Sequence, residues 1–134
     1  MSNPLPQLIS SKPAQLLQLV LRWRAVLHRK KKWSNECTTS CGRPVLWERG
    51  QWVLHDGTPV HPDVFSTEGA LMQASKDLNL YGTGLTMEAW SAFDRLLYSE
   101  LGSYAKVREW QVFQQHRSVR SLLNRLIGWC RDGR

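Results

Sequence analysis

The chain has 134 residues, three cysteines and a formal net charge of +7, which suits one domain with a single core and no disulfide framework. The odd number of cysteines and the absence of a secretory signal pattern favour reduced thiols and a cytoplasmic location, or a nuclear one in a eukaryotic host. A membrane-spanning helix is excluded, because Arg22 and Arg24 interrupt the best apolar segment.

Positive charge is concentrated at the two ends of the chain. Residues 1–33 have seven basic side chains and no carboxylate, and residues 102–134 have seven basic side chains against two carboxylates. The segment between them has nine carboxylates and four basic side chains. Because such segregation raises self-repulsion in the compact state, it favours a polyanionic or acidic partner.

The amino-terminal part is expected to contain a flexible arm and then an amphipathic helix. Residues 1–12 include two prolines and are assigned to the arm, so that residues 13–134 form a single helical domain. Ser11 is a suitable cap and Pro13 suits the first helical turn. The apolar face comprises Leu16, Val20, Trp23 and Leu27. The helix leads into a basic run, Arg29, Lys30, Lys31 and Lys32.

A hairpin insertion is predicted at about residues 34–62, where turn-forming and β-favouring residues replace the helical pattern. Two short apolar segments flank Glu48-Arg49-Gly50-Gln51, and Gly50 can adopt the positive φ that a tight loop needs. A second helix is expected from Thr67 to about Asn79, with Ser66 or Thr67 as its cap and with Gly69 weakening it.

The carboxyl-terminal half is predicted to contain two further helices. One begins at a Thr86 cap and ends at Gly102, and the other runs from about Tyr104 to Arg131. The latter has an apolar seam that suits packing against neighbouring helices or a homodimer with a second copy, made of Val112, His116, Val119, Leu123, Leu126 and Cys130. The expected fold is mainly α, a small single-domain bundle of about four helices with a short inserted β-hairpin.

A C-x3-C-x13-H-x5-H pattern suggests a structural zinc site. Its residues are Cys37, Cys41, His55 and His61, and two thiolates with two imidazoles can complete a tetrahedral zinc coordination. The pattern departs from a zinc finger, because Asp56-Gly57-Thr58-Pro59 prevents a helix between the histidines. The alternative is two thiols and two loop histidines without metal.

No arrangement typical of catalysis is found in the sequence, and we do not expect an enzyme. Nothing in the sequence links Cys37 or Cys41 to a histidine base, and His116 on the apolar seam is expected to be packed and hydrogen-bonded. An enzyme of unknown class is the third alternative for the function.

The basic helices predict a non-catalytic nucleic-acid-binding protein, either a regulator or a subunit of a nucleoprotein assembly. If the first and last helices pack side by side, their cations can form one surface that contacts phosphates of DNA or RNA. The predicted contact residues are Arg22, Arg29, Lys30, Lys31, Lys32, Arg117, Arg120 and Arg125, with Trp33 as a stacking group or a packed core residue. The alternative is a protein-interaction module, an inhibitor or adaptor of viral or mobile-element type, whose cationic face binds an acidic protein surface.

Overall fold

A computed structural model of the protein describes residues 12–28, 33–34, 36–112 and 116–132. Within them, five helices and one hairpin follow in the order α1 (Lys12–Val26), β1 (Val45–Glu48), β2 (Gln51–Leu54), α2 (Thr67–Asp77), α3 (Leu85–Leu101), α4 (Tyr104–Val112) and α5 (His116–Asp132). The mainly helical fold with an inserted hairpin is therefore confirmed. None of the described helices is long and apolar enough to cross a bilayer.

The core forms around the apolar face of α1, which packs against α2, α3 and α5. Trp23 is fully buried, and its indole Nε1 donates to the Thr67 carbonyl at 2.8 Å. Its ring centroid lies 5.1 Å from that of Phe93 on α3. Because burial of one tryptophan removes a large apolar area from water and its N–H finds a partner, this contact ties three helices together.

The hairpin forms where the sequence predicts it, with a shorter loop. β1 and β2 are antiparallel and in register from Val45 opposite Leu54 to Glu48 opposite Gln51. Only Arg49 and Gly50 form the turn, with φ of 52° and 82°. Positive φ at both central residues is the pattern of a two-residue turn whose twist matches the strands.

The starts of α2 and α3 are set in different ways. Ser66 caps α2 as predicted, and its hydroxyl accepts from the Gly69 N–H at 2.9 Å. The prediction that Thr86 caps α3 was wrong: the helix begins at Leu85 after Gly84. Thr86 is buried and its hydroxyl bonds to that of Ser75 at 2.6 Å, so it joins α3 to α2.

The region predicted as one final helix is described as α4 and α5, and residues 113–115 between them lie outside the described residues. The part of the seam in α5 is buried at His116, Val119, Leu123 and Leu126. These residues pack inside the protein's own core. A homodimer through the same seam would therefore need the core to open.

Candidate nucleic-acid interface

The first and last helices lie side by side, which is the arrangement that a joint basic surface requires. At one end of their contact, His116 Nε2 of α5 donates to the carbonyl of Leu27, just beyond α1, at 2.6 Å. Further along, Arg24 Nη1 donates to Asn124 Oδ1 at 3.0 Å. Since a carbonyl oxygen can only accept, Nε2 of the buried His116 imidazole carries a hydrogen.

A stripe of exposed polar residues runs along α5 on the side that faces α1. Asn124 marks this side through its bond with Arg24, and Arg120 and Arg131 lie four residues before it and seven after it. Such spacings place residues on one helix face. Arg120 and Arg131 are exposed, and neither forms an ion pair with the described residues. We call Arg24, Arg120, Asn124 and Arg131 the basic seam.

The basic run Arg29, Lys30, Lys31 and Lys32 lies outside the described residues, but described residues on both sides of it contact the same residue of α5. Before the run, Leu27 accepts the bond from His116. After it, the ring centroid of Trp33 lies 5.9 Å from that of His116. Leu27 before the run and Trp33 after it therefore both lie beside the first turn of α5. Arg117 also belongs to this first turn, and its side chain lies outside the described part.

Arg22 was predicted to contact phosphates, but it points to another partner. Its Nε and Nη2 both donate to Asp77 Oδ2 on α2 at 2.8 Å. The same carboxylate accepts from Gln73 Nε2 at 2.7 Å, and Gln73 Oε1 accepts from Trp52 Nε1 at 2.7 Å. Arg22 therefore ends a polar chain from the hairpin through α2 to α1, and its charge is balanced within the protein.

Arg125 is likewise paired, on a side of α5 that differs from that of the basic seam. Its guanidinium forms an ion pair with Glu100 of α3. The two helices also border a recess of about 480 Å³, in which the Arg95 guanidinium lies 5.6 Å from the ring centroid of Trp129. Because Glu100 balances Arg125 and the recess lies away from α1, this side does not extend the basic seam.

Trp33 is held by contacts on two sides. Its Nε1 donates to Thr67 Oγ1 at 3.1 Å, and its ring is half-buried against His116. With its only donor used inside the protein, Trp33 anchors the chain after the basic run. This arrangement supports the packed alternative over an open stacking platform.

The four predicted zinc ligands are not brought together. Cys41, His55 and His61 are exposed, and His61 Nδ1 bonds to the Pro62 carbonyl at 2.8 Å. Cys37 is buried, and its Sγ accepts from the Ser66 N–H at 3.4 Å. Burial raises the pKa of this thiol. Among the described residues, no group of three or more metal-ligating side chains could hold a metal ion, and the zinc site stays a prediction that metal analysis of the purified protein would test.

Three members of the basic seam, Arg24, Asn124 and Arg131, were not among the predicted contact residues. Arg24 lies only two positions from Arg22, which was predicted as a contact residue. On a helix, two positions correspond to a rotation of about 200°, so the two arginines flank α1 on different sides. The sequence did indicate a place for Arg24 beside the other cations, because it lies one helical turn before Leu27 and His28, near the start of the basic run.

Comparisons with known proteins give no further guide. No protein-family model matches the chain, and no curated protein or solved structure matches it.

Proposed function

We propose that this protein is a non-catalytic nucleic-acid-binding protein, which contacts phosphates at the junction of its first and last helices. The observation that supports this most directly is the packing of α1 against α5. In it Arg24 lies beside Asn124, and Leu27 and Trp33, on either side of the basic run, both contact His116. Arg24 and the exposed arginines of α5, about a hundred residues apart in the sequence, thus lie at one helix junction.

The basic seam has the chemistry that phosphate binding needs. Guanidinium groups present several donors in a fixed plane and bind phosphate oxygens strongly. Arg120 and Arg131 are exposed, and Arg24 meets a neutral amide rather than a carboxylate. Contacts of this type do not read base sequence, so the proposed binding is governed mainly by charge and depends on salt.

Fluorescence anisotropy with labelled DNA and RNA, single- and double-stranded, tests the proposal over a range of salt concentrations. Arg120→Gln with Arg131→Gln should reduce the steepness of the fall of log binding constant with log salt concentration by about 2. Neutralising residues 29–32 should reduce it by about 3 to 4. The matched control is Arg43→Gln with Arg49→Gln. It removes the same charge from exposed positions in the hairpin region and should leave the slope nearly unchanged.

Two results would contradict the proposal. One is the absence of binding to any nucleic acid at low salt. The other is an equal loss of affinity in the seam and control variants, which would mean that only net charge matters. In the first case, the alternative of an acidic protein partner for the same cations takes precedence.

A further inference from the structure

The recess between α3 and α5 offers a different kind of surface from the basic seam. Its volume of about 480 Å³ lies within the range of about 300–1,000 Å³ that is typical of small-ligand sites. Leu96 of α3 and Trp129 of α5 are half-buried in its lining. The Arg95 guanidinium lies over the Trp129 ring, 5.6 Å from its centroid. We call this site the α3–α5 recess.

The α3–α5 recess is close to neutral, unlike the basic seam. Of the two arginines in its lining, Arg125 is balanced by Glu100. Arg95 has no ion pair within the described part of the chain, and the lining also includes one carboxylate, that of Asp132. The recess is therefore a poor site for a phosphate and suits a ligand group without charge.

The planar groups of the recess are of the types on which unpaired bases stack. Indole rings and guanidinium planes both bind bases in this way in proteins that hold single strands. Ser99 and Asp132 add a hydroxyl and a carboxylate to the lining, and such groups can bond to the polar edge of a base. Because a base inside a duplex is already stacked and paired, the recess suits an unpaired base.

Gly128, which also lines the recess, is not required by the fold. It lies inside α5, it does not adopt a positive φ, and a Cβ added to it would meet no neighbouring group within 4 Å. Glycine weakens a helix interior relative to alanine. Since neither packing nor backbone conformation calls for glycine here, the uncovered backbone indicates the close approach of a ligand.

Gly128 also lies between the recess and the basic seam on the surface of α5. It comes four residues after Asn124 and three before Arg131, which belong to the seam, and directly before Trp129 of the recess. Residues three or four apart are neighbours on a helix face. A strand on the seam can therefore reach the recess by crossing α5 at Gly128, over no more than the width of one helix, about 10–12 Å.

We propose that the α3–α5 recess binds an unpaired base of a single-stranded nucleic acid whose phosphates contact the basic seam. The base stacks on the planar groups of Trp129 and Arg95, and the strand crosses α5 over the backbone of Gly128. This inference rests on the proposed function and adds to it that single strands are the preferred ligand.

Fluorescence anisotropy with two labelled DNA strands of equal length tests the inference. One is oligothymidine of about 12 nucleotides, within the usual span of single-strand sites. The other is an abasic strand, which has the same number of phosphates and no bases. Oligothymidine should bind at least about fivefold more tightly, as expected for one stacked base. The ratio should stay nearly constant with salt, because both strands make the same phosphate contacts.

Gly128→Gln obstructs the crossing between seam and recess without changing any charge. Glutamine is the better helix former and the space at this position is open, so the variant should melt at or above the temperature of the wild type. It should lose the preference for oligothymidine and bind the abasic strand within about twofold of the wild type. The matched control Ser121→Gln adds the same side chain at an exposed position of α5 outside the recess, and it should keep the preference.

Trp129→Leu removes the ring and keeps an apolar side chain at this half-buried position. It should also lose the preference for oligothymidine, because a leucine side chain has no flat face on which a base can stack. Thermal melts confirm that each variant is folded before the affinities are compared.

Three results overturn the inference while phosphate binding stands: equal affinities of the wild type for the two strands, a preference that survives in Gly128→Gln, or an equal loss of preference in Gly128→Gln and Ser121→Gln. If the wild type bound neither strand at low salt, the proposed function itself would be contradicted, and the base site with it.

Discussion

Two arginines on different sides of α1, Arg22 and Arg24, have partners of different charge. On the side that faces α2, Arg22 donates twice to the carboxylate of Asp77, which Gln73 also holds. On the side that faces α5, Arg24 donates to the neutral amide of Asn124. One cation is balanced by a carboxylate within the fold, and the other has a neutral amide as its partner.

This contrast shows that an exposed arginine cannot be assigned to a binding surface from helix phase alone. Arg22 lies opposite the apolar face, where a solvent-exposed side chain is expected, yet a carboxylate 55 positions later in the chain reaches it. Arg22 has a carboxylate as its partner, whereas Arg24 has a neutral amide. Variants that remove the core packing of α1 or one of the two guanidinium charges test this difference.

Trp23→Ala should have the largest effect, because Trp23 lies between the two arginines and supports both sides of α1. The side chain is fully buried, contacts Phe93 and donates to the Thr67 carbonyl. Its removal should lower the free energy of unfolding by about 3–5 kcal/mol. Urea denaturation measures the loss, and Trp23→Phe should recover part of it because it restores the ring contact. Equal losses in the two variants would place the stabilisation in the hydrogen bond instead.

Gly69→Ala in α2 should lower the free energy of unfolding of the protein, although alanine is the better helix former by about 1 kcal/mol. A Cβ at this position would overlap Cys37 Sγ and come within 3.3 Å of Trp52. We expect a net loss of about 1–3 kcal/mol in unfolding free energy, which is typical of overpacking.

The double variant Gly69→Ala with Cys37→Ala is the control for this contact, since it removes the sulfur that the new methyl group would strike. Unfolding free energies of the four proteins form a double-mutant cycle. A coupling energy close to zero would contradict the contact. Recovery of the unfolding free energy in the double variant would confirm that Gly69 of α2 lies directly against Cys37.

Arg22→Gln should affect mainly stability, whereas Arg24→Gln should affect mainly nucleic-acid binding. Arg22→Gln removes the ion pair with Asp77, whose side chains are 49% and 22% exposed, and should cost about 0.5–1 kcal/mol of stability with nucleic-acid binding unchanged. Arg24→Gln should reduce the steepness of the fall of log binding constant with log salt concentration by about 1. It should change the free energy of unfolding by less than about 0.5 kcal/mol. Denaturation and anisotropy on both variants measure the two effects, and the same response from both would remove the distinction between the sides.

Local patterns predicted much of the fold and less of the candidate site. The apolar spacing of α1 identified Val20, Trp23 and Leu27, which are all fully buried, because helix periodicity is a property of neighbouring residues. Turn chemistry located the hairpin for the same reason. Gly69 was interpreted as a weakness in α2, whereas it makes room for Cys37, and such a contact depends on how distant segments meet.

The site depended on side-chain partners that lie far apart in sequence. Arg22 meets Asp77, Arg125 meets Glu100 and Trp33 meets Thr67. No pattern of neighbouring residues contains these pairings, so the sequence could identify the basic helices but could not sort their cations into paired and unpaired ones.

The smallest effect is expected at the thiol beneath α2. Burial raises the pKa of Cys37, so the unfolded thiol ionises first, near its ordinary pKa of about 8.5. Above that pH the unfolded state binds fewer protons than the folded state, and stability must fall as pH rises. Urea denaturation at pH 7.5 and 9.5 should show a loss in the wild type that is smaller in Cys37→Ala, by about 1 kcal/mol or less. Cys130, whose pKa burial also raises, contributes equally to both proteins, and the exposed Cys41 provides the control variant Cys41→Ala. If Cys41→Ala reduced the loss as much as Cys37→Ala does, the effect would not come from burial, because only one of these two thiols lies in the core beside Gly69.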